Sequence, residues 1–226
     1  MSTKNSKQMK NLKKQAVEDA VTDGRIRRGR VSREARRATI LTSALEVFAE
    51  HGYHQTSVTD LVKAAGVARG TFYLYFESKD AIFIELLEGL VQRVRSGIVG
   101  VRPEASAPPL EVQLQQTIAR LLTILWENRP LTKIIFREAV GLHAQVDEKL
   151  LAFHRELYTY TEAALTLGEA TGYTRAVDGP IVATAVVGAV RELVERYLVM
   201  DQDLDVEQAS ASLVNFVLYG VSVKAG

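Results

Sequence analysis

No cysteine occurs among the 226 residues, and there are only five prolines and one tryptophan. Without cysteine there can be no disulfide framework, no thiol nucleophile and no thiolate-ligated zinc or iron–sulfur centre. Long apolar runs are missing too. The longest stretch of apolar and small residues, Pro180 to Val190, falls well short of the ~20 residues that a helix needs to cross a bilayer. The N-terminus is basic but lacks the apolar segment of a signal peptide. What is present is 47% hydrophobic and 24% charged, enough for a substantial core. The expectation is a soluble, cytoplasmic chain of one large or two small domains, with no membrane partner.

The net charge of +1 conceals an asymmetry, because residues 1–80 carry 15 Lys/Arg against 9 Asp/Glu while the remainder carries 13 against 18. A basic front end on an acidic body fits contact with a polyanion at one end only, although a charged tail that merely aids solubility fits the charge equally well. Residues 1–33 read as a basic flexible arm. Lys4, Lys7, Lys10, Lys13 and Lys14 lead to an Asp23-Gly24 turn and then to Arg25, Arg27, Arg28, Arg30 and Arg33, with little apolar surface to bury. A short Arg cluster ahead of a DNA-reading motif can enter a minor groove, so Arg25, Arg27 and Arg28 are candidate DNA contacts.

From Glu34 the pattern turns helical. Ala38, Leu41, Ala44, Leu45 and Phe48 recur at three- and four-residue spacing and predict one apolar face, ended by Gly52. Ser57 and Asp60 have capping-box spacing and start a short second helix carrying Val58, Leu61, Val62 and Ala65, which Gly66 stops. A third short helix covers roughly Ala68 to Tyr75. Ser78 caps a fourth, with Ile82, Leu86 and Leu90 inward. Two short helices joined by a tight turn containing Gly predict a helix-turn-helix. On the second of the pair Val67, Phe72 and Phe76 can point inward, leaving Arg69, Thr71, Tyr73, Leu74 and Tyr75 outside, a poor solvated face and a good nucleic-acid face.

The run Ala65-Gly66-Val67-Ala68-Arg69-Gly70-Thr71-Phe72-Tyr73-Leu74-Tyr75-Phe76-Glu77-Ser78-Lys79-Asp80 resembles the DNA-binding signature of the tetracycline-repressor (TetR/AcrR) family. Ile40, Ala44, Phe48, Gly52, Thr56, Ser57 and Asp60 stand where that family's first two helices need them, so the motif resemblance spans about residues 36–82. Ala68 departs from the Ser of many members, and so long a basic arm is atypical. The resemblance implies that the third helix enters the major groove. Arg69 would then meet guanine, Thr71 a thymine methyl or phosphate, and Tyr73 and Tyr75 phosphates or base edges. Thr56, Ser57, Thr59 and Lys79, at helix starts, are candidate phosphate contacts.

After a Val99–Pro109 loop about five more helices are expected, carrying Leu114, Ile118, Leu121, Leu122 and Leu125, then Pro130, then 146–167, 180–200 and 205–223. Nothing alternates like a strand, so the chain should be all-α. The domains expected are the arm at 1–33, a helix-turn-helix domain at 34–80 and a helical effector-binding and dimerisation domain at 81–226. Ala183, Val186, Val187, Val190 and Val194, with Leu213, Phe216, Val217 and Gly220, form apolar stripes that serve as core or as interface. The resemblance implies the second, a homodimer through residues about 180–222. It also implies a cavity for a small, hydrophobic effector, with Trp126, Phe136, His143, Phe153 and Tyr158 as candidates. His154 and Tyr160 lie in similar surroundings, and core filling explains the aromatics equally well.

No constellation supports catalysis. His51 and His54 straddle Gly52, which breaks the spacing for a shared metal, and no glycine-rich phosphate cradle follows a strand. No metal, cofactor or catalytic residue is expected. An all-α enzyme or scaffold is therefore the weaker reading. The stronger one is a DNA-binding transcriptional regulator, read as a repressor on a pseudo-palindromic operator. The alternatives left are a dimer without a ligand and an activator.

Overall fold

The computed structural model describes residues 32–104 and 106–221, so the arm residues Arg25, Arg27 and Arg28 lie outside the described residues. Nine α-helices and no extended strand make up the described residues. Helix α1 spans 32–51, followed by α2 (Val58–Ala64), α3 (Arg69–Tyr73) and α4 (Lys79–Gly97). The body comprises α5 (Leu110–Glu127), α6 (Arg129–Glu138), α7 (Ala144–Ala170), α8 (Gly179–Leu193) and α9 (Val206–Val221). The end of α8 widens into a π-helical turn, Val194–Val199.

Local chemistry sets most boundaries. Gly52 adopts φ +80 after α1, a left-handed conformation that costs a side-chain-bearing residue energy. The side chain of Ser57 accepts from the backbone of Asp60 while the Asp60 carboxylate takes the Ser57 amide, a complete capping box for α2. Gly66, at φ +63, turns the chain into α3. Ser78 accepts from the Ala81 amide to start α4, and Pro130 occupies the first turn of α6.

Ile40, Ala44 and Phe48 of α1, Leu61 of α2, Phe72 of α3, Phe76 just beyond it, and Ile82, Phe83 and Leu87 of α4 form one buried core. Two details differ from the periodicity reading. Ala38 is exposed, and Leu87 rather than Leu86 is the fully buried residue of its pair. The core does not end at residue 80. It continues through Leu90, Val91 and Val94 of α4 to Leu131 and Ile134 of α6 and Val146 of α7. Tyr53, missed in the sequence, knits the α1–α2 turn to α4: its ring packs 5.3 Å from Phe48 and 5.0 Å from Phe83, and its hydroxyl donates to Asp80. Burial, aided by that carboxylate, pushes the phenol far above its usual range.

Candidate functional site: a nucleic-acid interface and a buried cavity

Helix α3 has five residues, and its order depends on Phe72 and Phe76 pointing into the core. Arg69, Gly70, Tyr73 and Leu74 are left outside. Tyr73 is 46% and Leu74 73% exposed, an unusual expenditure of apolar surface on a free face. The Arg69 guanidinium lies 5.9 Å from the centre of the Tyr73 ring, so cation and aromatic present a joint surface. Nothing lies within 4 Å of a side chain built on Gly70, which leaves the backbone open to close approach. Ala68, the N-cap, makes no side-chain cap. Thr71 is half-buried. Tyr75 is also half-buried against the core, with Arg33 5.9 Å over its ring.

The helix-start residues divide. Ser57 and Thr59 are exposed, but Ser57 is engaged with Asp60, whose carboxyl those hydrogen bonds hold below its ordinary range. Thr56 corrects the expectation: it is 3% exposed and donates its hydroxyl to the Gly52 carbonyl at 2.7 Å, so it serves the turn rather than a phosphate. Lys79 also turns inward. Its ammonium donates to the carbonyls of Tyr53 and Thr56, both at 2.9 Å, and lies 4.3 Å over the Tyr53 ring. Two of its three donors are thus committed within the protein. Lys79→Met should destabilise the fold by about 1–3 kcal/mol, since two carbonyls lose a charged donor. Thermal melts check this, and an unchanged midpoint would show the clamp to be idle.

Helix α6 touches the same turn from the body. The Glu138 carboxylate accepts from the Tyr53 amide at 2.8 Å and the His54 amide at 3.4 Å, and a Cβ on Gly52 would fall 3.1 Å from one of its oxygens. Sequence spacing gave no signal of this clasp, which joins residues 85 apart.

The body holds a cavity of about 540 Å³, open in part to solvent, between α4, α5, α6, α7 and α8. Phe136, Phe153 and Tyr158 line it, and so does His154. Trp126 and His143 do not. Trp126 packs on a separate cluster of Leu122, Val194 and Leu198, with Arg129 4.6 Å over its ring. His143 is the exposed N-cap of α7, accepting from the Gln145 amide at 3.2 Å. Val186, Val187 and Val190 face this cavity, and Ala183, Val194 and Leu213 are buried, so the stripes expected at an interface are largely used within the subunit. Of those stripes Phe216 stays free at 73% exposure, joined on the last two helices by Ile181 at 66% and Tyr219 at 84%. Among the described residues no group of three or more His, Cys, Asp or Glu could hold a metal. No described helix is long and apolar enough to cross a membrane.

An all-helical body behind a helix-turn-helix head defines a DNA-binding transcriptional regulator rather than an enzyme. The family described as bacterial regulatory proteins, tetR family, matches residues 40–86. The fatty acid metabolism regulator protein of Bacillus subtilis is 27% identical over 187 residues, 82% of this chain and 95% of its own length. The solved fatty acid degradation regulator FadR of Bacillus halodurans is 25% identical, with a TM-score of 0.65 over 82% of this chain and 95% of its own. The ketosteroid transcriptional regulator KstR2 of Mycobacterium tuberculosis matches at the same identity and score over 84% of this chain and 96% of its own. Residues 40–86 thus carry a tetR-family head, and the chain is similar to these regulators over more than four-fifths of its length.

Proposed function

We propose that the protein is a homodimeric repressor that binds a pseudo-palindromic operator and is released by a small, predominantly apolar molecule in the cavity. The observation that carries this reading is a shared wall. Leu87, Leu90, Val91 and Val94 of α4 line the cavity and also belong to the core that holds α1–α3. A ligand pressing on α4 therefore presses on the frame of the reading helix, and α6 offers a second route. Thr132, Ile135 and Phe136 face the cavity while Glu138 clasps the α1–α2 turn. The relatives named for fatty acids and a ketosteroid support an apolar effector. Ile181, Phe216 and Tyr219 supply apolar area for pairing α8 and α9 with a second copy in the cytoplasm.

On DNA, Arg69, Thr71, Tyr73 and Tyr75 would meet the major groove. Ser57, Thr59 and the remaining donor of Lys79 would flank phosphates, and Arg25, Arg27 and Arg28 of the arm would add positive charge nearby. Tyr73→Ala should weaken operator binding by about 1–3 kcal/mol with little change in the thermal midpoint, because its half-exposed ring meets the core only edge-on at Phe72. Footprinting with purified protein on its own upstream DNA tests both parts. A footprint without two-fold symmetry, or parental affinity in the variant, would refute the reading.

A further inference from the structure

The cavity is poor in acceptors and rich in donors. No Asp or Glu lines it. Its threonines spend their protons on helix carbonyls: Thr117 on Gln113 at 3.0 Å, Thr161 on Leu157 at 2.9 Å and Thr184 on Pro180 at 2.8 Å. The donors left to a ligand are the guanidinium of Arg191, the imidazole of His154 and the phenols of Tyr158 and Tyr160.

Three arginines near the cavity or its neighbouring helices are held by acceptors. Arg95 is held by Glu156 at 2.6 and 2.7 Å, Arg129 by Asp201 at 2.9 Å and Arg137 by the Val199 carbonyl at 2.7 Å. Arg191 is exposed and, like Arg155 and Arg196, makes no ion pair or side-chain hydrogen bond among the described residues, but of these three it alone stands on the rim of the apolar chamber. Burial, and then the charge of Arg191, hold the His154 imidazole below its ordinary value, so at neutral pH it is an uncharged donor beside a cation. The rest of the chamber is long and apolar. Its lining on α4 runs from Leu87 to Val94, a helical rise of about 10 Å, and continues past the helix end through Ile98 to Val101.

Resting on the effector reading above, we infer that the cavity takes an amphiphile. Its apolar body lies along α4, and its anionic head group meets Arg191 and His154. A carboxylate there gains charge-assisted hydrogen bonds that a neutral head group of the same length cannot make. The anion could be a free carboxylate or the phosphates of a carrier bearing an acyl chain.

Calorimetry on the full chain with decanoate, decanol, decylammonium and decanoyl-coenzyme A tests this. Decanoate should bind at least about tenfold more tightly than decanol, and decylammonium should bind most weakly. Arg191→Gln should erase the decanoate advantage while changing the decanol affinity less than threefold, roughly. A coenzyme A thioester that binds more tightly than decanoate and depends on Arg191 assigns the anion to carrier phosphates; the reverse order assigns it to a carboxylate. Equal binding of decanoate and decanol, or an advantage that survives Arg191→Gln, overturns the anionic head group and leaves the cavity as effector site. Failure of every chain to bind overturns the effector reading and this inference together.

Discussion

Phe72→Ala is expected to cost about 3–5 kcal/mol and to abolish operator binding, although Phe72 touches no DNA in the proposed arrangement. Helix α3 has five residues and no side-chain cap at Ala68, whereas isolated helices need about 12–15 residues to approach stability in water. Its conformation is therefore held by burial. Phe72 is 0% exposed, edge-on to Tyr73 at 5.6 Å and tilted against Phe76 at 6.4 Å. Removing the ring leaves a cavity beneath the reading face and releases the backbone carrying Arg69 and Tyr73. Chemical denaturation should show the stability loss, and gel shifts the loss of binding. The contrast with Tyr73→Ala separates scaffold from contact, since that change should lower affinity with little change in stability. A Phe72→Ala protein that melts with the parent would mean that α3 is held by something other than its core side.

The head was legible in the sequence because its signals are local. Gly52, Gly66, the Ser57–Asp60 box and the Ser78 cap each act within four residues, and the structure uses each of them. Burial of Phe72 and Phe76 followed from the same short-range spacing. The inward turn of Lys79 could not be read for the opposite reason. Its acceptors are carbonyls of the α1–α2 turn, and only the packed fold brings the ammonium of α4 to Tyr53 and Thr56, 26 and 23 residues away. Glu138 was invisible on the same ground.

Cavity membership was the least legible feature, because a cavity is space left between helices rather than a pattern along one. Phe136, Phe153 and Trp126 look alike in sequence. Yet α5 turns Trp126 toward the π-helical end of α8 while α6 and α7 turn the two phenylalanines inward. For the histidines a boundary decided the matter. Helix α7 begins at Ala144, so His143 became its cap, whereas His154 lies three turns into the helix and faces the chamber.

Filling the chamber at Ala164 is expected to produce the largest functional change, loss of effector response with DNA binding kept. Ala164 is half-buried on α7 and lines the cavity one helical turn after Tyr160 and Thr161, and it belongs neither to the Glu138 clasp nor to the core that holds α3. Phe at this position shortens the chamber without touching the core of the head. Its own cost from crowding should stay near 1–3 kcal/mol, which a denaturation curve monitors. The proposed release requires the effector to favour the form that cannot bind DNA. A 100-fold preference corresponds to roughly 2.7 kcal/mol of coupling, and by reciprocity operator DNA must weaken the effector by the same factor. Ala164→Phe should remove that response to a chain-length effector. His143→Trp, which adds more bulk to a residue exposed outside the cavity, should respond like the parent. Operator titrations with and without effector read both variants. Release that persists in Ala164→Phe would place the effector elsewhere, and equal effector affinity for free and DNA-bound protein would remove the coupling altogether.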